Sequence, residues 1–105
     1  MTVERKRRIH LIEKMGFIRR VSDADKEYES GYWKVPENTA TALVGGEIYF
    51  HKKQAEESFF GGRITGYRVD NEMYPGRIIF VFCFDKNFRG VSAGQDGWSM
   101  EKKIV

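Results

Sequence analysis

The rhythm of apolar and polar positions changes near residue 31 of this 105-residue chain. Before it, Ile9, Ile12 and Met15 recur at a spacing near 3.6 with Leu11 alongside and charges between, which predicts a helix over 3–15. Thr2 stands at the N-cap position and Gly16 where a helix stops. Phe17, Ile18 and Val21 form a short apolar stretch expected to dock on or pair with the core. Ser22 to Asp25 then has capping-box spacing, with Asp in place of Glu, ahead of an acidic segment ended by Gly31.

After Gly31 the pattern is that of strands. Tyr32–Val35 is a short one stopped by Pro36, and Glu37–Val44 fits two helical turns with Pro36 near N1. Gly45-Gly46 marks a turn into Glu47–His51, which is rich in β-formers. Lys52–Ser58 is a polar loop, and Phe59 and Phe60 lead through Gly61-Gly62 into the strand Arg63–Val69. Asp70–Gly76 is a loop. Arg77–Asp85 is the strongest strand, with Ile78, Phe80, Phe82 and Phe84 on one face and Ile79, Val81 and Cys83 on the other, so both faces are covered. Asn87–Gly97 is loop, and Trp98–Val105 adds an edge strand or a short helix. The expected architecture is a single α+β domain over 1–105. It has a helical segment over 1–31 and, over 32–105, a small, mostly antiparallel sheet closing into a β-barrel with a short helical insert.

Composition narrows the class. Apolar residues are 41% and charged residues 31%, so the chain is neither a disordered tail nor a low-complexity linker. No apolar run reaches the ~20 residues of a membrane helix, and no apolar stretch follows the charged start as in a secretory signal. With one cysteine excluding an internal disulfide, the expected location is cytoplasmic and no membrane partner is expected.

The net charge of +3 is unevenly spread: residues 1–20 carry seven basic and two acidic groups, residues 21–40 two basic and five acidic. The basic start is suited to neutralising phosphates, or else pairs with the acidic segment behind it.

Candidate chemistry is sparse. Two histidines 41 positions apart and one cysteine in an apolar strand do not make a metal site, so no metal is expected. Cys83 reads as a core thiol. No P-loop or GxGxxG occurs, Glu56-Glu57 reads as solvated charge, and no cofactor is implied. His10 reads as structural or surface. His51, at the mouth of a polar loop, either meets a ligand or ties down the strand end by bonding a loop carbonyl.

The aromatics carry the main signal, at 14% of the chain and often beside turns. Trp33, Tyr49, Phe59, Tyr67 and Trp98, with His51, Lys52 and Ser58, are the candidate ligand-binding residues, converging at a barrel mouth; filling the core is the other use of such rings. Arg7, Arg8, Arg63 and Arg68 are the candidate phosphate contacts.

The run Tyr32-Trp33, a short helical insert, Gly46-Glu47-Ile48-Tyr49-Phe50-His51, a polar loop and Gly62–Val69 resembles the PUA-like superfamily, most of all its EVE and ASCH branches. The resemblance covers about residues 32–85. It implies a pseudobarrel that binds RNA or DNA, or holds a modified base or nucleoside in an aromatic pocket. Trp33 would then be a pocket wall, and His51 with Lys52 or Ser58 would border the ligand. Lys52 stands where such domains commonly carry Ser, and the Trp-containing segment between the first two matched strands is shortened to Pro36–Val44. The expected function is therefore a non-enzymatic nucleic-acid or modified-base binding module. The alternatives are a small hydrolase of nucleic acids or nucleosides, using His51 or Lys52 with Asp70, and a protein-interaction module.

Overall fold

The computed structural model describes residues 7–22, 24 and 26–105. The chain folds as a β-rich α+β domain built on one mixed seven-stranded sheet and one α-helix. The strands are β1 (Arg8–Ile12), β2 (Arg19–Ser22), β3 (Glu27–Glu29), β4 (Glu47–His51), β5 (Phe60–Val69), β6 (Ile78–Phe84) and β7 (Lys102–Ile104), with α1 (Glu37–Leu43) between β3 and β4. Their order in the sheet is β2-β3-β6-β5-β4-β1-β7. Only β1 and β4 run parallel; the other ladders are antiparallel. Strands β2 and β7 are the edges and no ladder joins them, so the sheet is open by hydrogen bonding where a closed barrel was expected.

The N-terminal helix is corrected to a strand. Ile9 and Leu11 alternate with His10 and Ile12, and β1 sits between β4 and β7, so pairing on both sides outweighs local helical spacing. Met15, counted toward the helical stripe, is 71% exposed and belongs to no apolar face. Thr2 and the basic residues Arg5 and Lys6 lie outside the described residues, as do Asp23 and Asp25 of the capping-box reading. The acidic segment yields β3, held because Tyr28 packs on Phe60, Phe82 and Phe84. The strand expected over Tyr32–Val35 shrinks to a single bridge, Trp33 to Ile78, since Pro36 has no N–H with which to extend it.

From α1 onward the sequence expectations hold closely. Ala40 and Leu43 of α1 enter the core with Ile9, Leu11, Ile48, Phe50, Ile64, Ile78, Phe80 and Phe82. The strand residues among them come from one face of the sheet, as alternation requires, and α1 packs against that face. The opposite face of β1 and β4 carries His10, Tyr49 and His51 and is covered by the 3-10 turn Lys86–Phe88 and the loop after it. Strand β6 lies between β3 and β5; Ile79 is buried on its second face, while Val81 and Cys83 are half-buried. Among the described residues no helix is long and apolar enough to cross a membrane.

Candidate functional site

The expected aromatic mouth divides into two separate places. One is a closed cluster on the outer face of β1 and β4. Parallel register sets His10 beside Tyr49 and Ile12 beside His51, so both imidazoles and the phenol share a face. Tyr49 is stacked between His10 (centroids 4.7 Å apart) and Phe88 (5.0 Å), and Trp98 stands edge-on to both histidines. His51 is fully buried, with Nδ1 2.8 Å from the Glu56 carbonyl and Nε2 2.9 Å from His10 Nδ1. A carbonyl only accepts, so His51 Nδ1 carries the hydrogen and His51 Nε2 accepts from His10 Nδ1–H. His51 is thus the strand-end tie that bonds a loop carbonyl.

Electrostatics suit that structural role. Burial first, then the neighbouring His51, Lys103 and Arg8, hold His10 down at about 4. Burial likewise lowers His51. Burial and the bond to Glu47 push Tyr49 up to about 12, so its hydroxyl remains a donor. Ser58 is buried too, its hydroxyl donating to the Phe88 carbonyl at 2.5 Å and accepting from Val91 N–H at 3.0 Å. Trp98 donates to the Gly94 carbonyl at 2.9 Å.

The other candidates are scattered. Lys52 lies 4.5 Å over the Phe59 ring, and Phe59 packs against the core. Tyr67 bonds Thr41 and Glu37 of α1. The arginines are engaged with acids: Arg8 and Arg63 both pair with Glu47, at 2.9 and 3.8 Å, and Arg68 shares Glu29 with Arg19. Arg68 is the chief cause of Glu29 lying below the ordinary carboxylate range. Arg7 is exposed. None of these four expected phosphate contacts lines a cavity with Trp33. Asp70 accepts from the backbone N–H groups of Glu72, Met73 and Tyr74, which keeps it ionised and fixes the turn before β6.

The second place is a groove around Trp33. The Trp33 backbone exchanges two hydrogen bonds of 2.9 Å with Ile78, which fixes the Tyr32-Trp33 pair beside the start of β6. Phe17 packs edge-on against Tyr32 at 5.5 Å, and a Cβ on Gly31 would lie 2.8 Å from Phe17 Cβ, so glycine is what allows this approach. Tyr74, placed by the Asp70 turn, lies 4.9 Å from Tyr32. Two adjoining cavities of about 230 and 260 Å³ share Tyr32, Trp33, Arg77 and Glu101 as lining. The first is completed by Glu13, Lys14, Phe17 and Tyr74, the second by Lys34, Met100 and Lys102. Each is just below the ~300 Å³ at which small-molecule sites begin, and they are contiguous.

Two polar groups there are incompletely satisfied. The Trp33 indole N–H is buried with no acceptor, alone in this respect among the described side chains. Glu13 is 4% exposed and accepts the Phe17 N–H at 3.1 Å, but no cation among the described residues lies within ion-pairing distance of it. Of the eight expected ligand residues, the groove contains Trp33 alone. Sequence reasoning missed Glu13, Phe17, Tyr74, Arg77 and Glu101. The signal for two of them was present, since Phe17 follows Gly16 and Tyr74 opens the Tyr74-Pro75-Gly76 turn; nothing in the sequence pattern singles out Glu13.

Among the described residues no three metal-ligating side chains come together. No family model, curated protein or solved structure matches the chain.

Proposed function

We propose that this chain is a non-enzymatic binding module for a nucleobase, presented by a nucleotide or by an RNA or DNA strand, and that the Tyr32-Trp33 groove is its site. One observation carries the reading: among the four aromatic side chains that line the groove is Trp33, whose indole N–H is buried without an acceptor. Such a donor costs about 1–3 kcal/mol when left unpaired, and a ring nitrogen or exocyclic oxygen of a base is an acceptor of the right kind. Planar rings stack on aromatic faces whatever their sequence. The exposed Lys14, Lys34 and Arg77 on the rim supply charge for a phosphate.

The resemblance of residues 32–85 to EVE and ASCH domains supports the same reading and extends it to the fold. The proposed architecture is a PUA-like pseudobarrel left open between its edge strands β2 and β7.

The test is a thermal-shift series with nucleoside monophosphates and short oligonucleotides at low salt, on the native protein and Trp33→Ala. Bound ligand raises the melting temperature by mass action. The reading predicts a shift with at least one nucleotide that is lost in Trp33→Ala. No shift with any of them, or one unchanged in the variant, overturns it.

A further inference from the structure

Resting on that reading of the groove, we infer that its ligand is a nucleobase carrying a fixed positive charge, as produced by methylation of a ring nitrogen. A carboxylate removed from water is costly unless paired, and the only described partner of the Glu13 carboxylate is one backbone N–H. The Glu13 side chain lines the cavity formed by Phe17, Tyr32, Trp33 and Tyr74. Aromatic faces attract cations through their quadrupoles, most strongly when the site is desolvated, and Trp is the best of them. A carboxyl side chain in the wall of an aromatic-lined groove therefore offers a delocalised cation a second attraction besides the ring faces, and a neutral ring none beyond stacking.

The charges around the groove are sorted by depth. Glu13 is buried, whereas Lys14, Lys34 and Arg77 are exposed at the rim. The Arg77 guanidinium is already held over the Tyr74 ring at 5.5 Å from its centroid. The exposed Glu101, common to both cavities, adds a second carboxylate at their junction. A ligand with a cationic ring inside and a phosphate outside matches this arrangement. An alkylammonium side chain on a peptide matches the interior but leaves the basic rim without a counterpart.

The experiment is isothermal titration of the full chain with 7-methylguanosine and 1-methyladenosine monophosphates against guanosine and adenosine monophosphates. The expected result is tighter binding of at least one methylated nucleotide by roughly tenfold, the size of a desolvated cation–aromatic contact. In Glu13→Gln, which keeps an acceptor for the Phe17 N–H, that preference shrinks while the unmethylated affinity changes little. Equal affinity for methylated and unmethylated forms overturns the inference and leaves the nucleobase reading standing. Binding of none of the four at low salt overturns the inference, and the nucleobase reading falls with it only if the thermal-shift series of other nucleotides and oligonucleotides is also blank. Tight binding of a trimethyl-lysine peptide in place of nucleotides overturns both the inference and that reading, and makes the enclosure a cage for alkylammonium groups.

Discussion

His10 Nδ1 lies 2.9 Å from His51 Nε2, and the two imidazoles, 41 positions apart in sequence, form one buried hydrogen-bonded pair between β1 and β4. With His51 Nδ1–H fixed on the Glu56 carbonyl, the pair is a chain of neutral rings covered by Trp98. Its place against Tyr49 makes it part of the outer layer that buries the parallel ladder from the side opposite the main core.

Stability should therefore fall as the solution is acidified through the histidine range. Both histidines titrate below their ordinary value of 6.5, His10 at about 4, so between these limits the unfolded chain binds protons that the folded chain refuses. Each such histidine contributes a slope of at most about 1.4 kcal/mol per pH unit, favouring the fold as pH rises. Urea midpoints measured at pH 7, 6 and 5 should decline, and His10→Gln should decline less. A midpoint that rises on acidification contradicts this account of the pair.

Two glycines of β5 should respond oppositely to alanine. A Cβ at Gly62 would lie 2.7 Å from the Cys83 carbonyl carbon, so β5 and β6 would have to separate. Overpacking against backbone costs about 1–3 kcal/mol. At Gly66 nothing lies within 4 Å of the added carbon, and the smaller unfolded-state entropy favours the variant by up to about 1 kcal/mol. Denaturant midpoints of Gly62→Ala and Gly66→Ala should fall on either side of the native value. A tolerated Gly62→Ala would mean that the strands are not packed this closely.

Trp33→Phe should separate stability from binding. Removing a buried donor that has no acceptor relieves a cost of about 1–3 kcal/mol, which offsets much of the lost ring volume. Thermal melts of the free variant should stay within a few degrees of native, while the melting shift induced by a bound nucleotide shrinks. Full retention of that shift would assign the indole N–H no part in binding.

How much of this was legible in the sequence depends on how local the decisive interactions are. Strand β4 was read with its observed bounds because Gly45-Gly46 and the polar loop frame a run of β-formers. Helix α1 was read because Pro36 sets its start. Strand β1 was not legible: Ile9, Leu11 and Ile12 satisfy either period, and its parallel pairing with β4 spans some 39 residues between register partners. Just past the end of β1, Glu13 is buried and lines the groove. Trp33 stands out in the sequence because the turn residues Gly31 and Pro36 set this aromatic apart. Tyr49 and His51 were equally conspicuous in sequence, but strand alternation and the covering loop turn them inward.

The central claim, that a nucleobase enters the groove at Trp33, is tested most directly by the two indole cross-peaks of a ¹H–¹⁵N spectrum. Trp33 Nε1–H has no acceptor in the free protein, whereas Trp98 Nε1–H is bonded to the Gly94 carbonyl. Addition of the nucleotide giving the largest thermal shift should move the Trp33 indole signal downfield, as a hydrogen bond forms, and leave the Trp98 signal in place. Movement confined to Trp98, or to the backbone signals around Arg8 and Arg63 with Trp33 unmoved, would contradict the account.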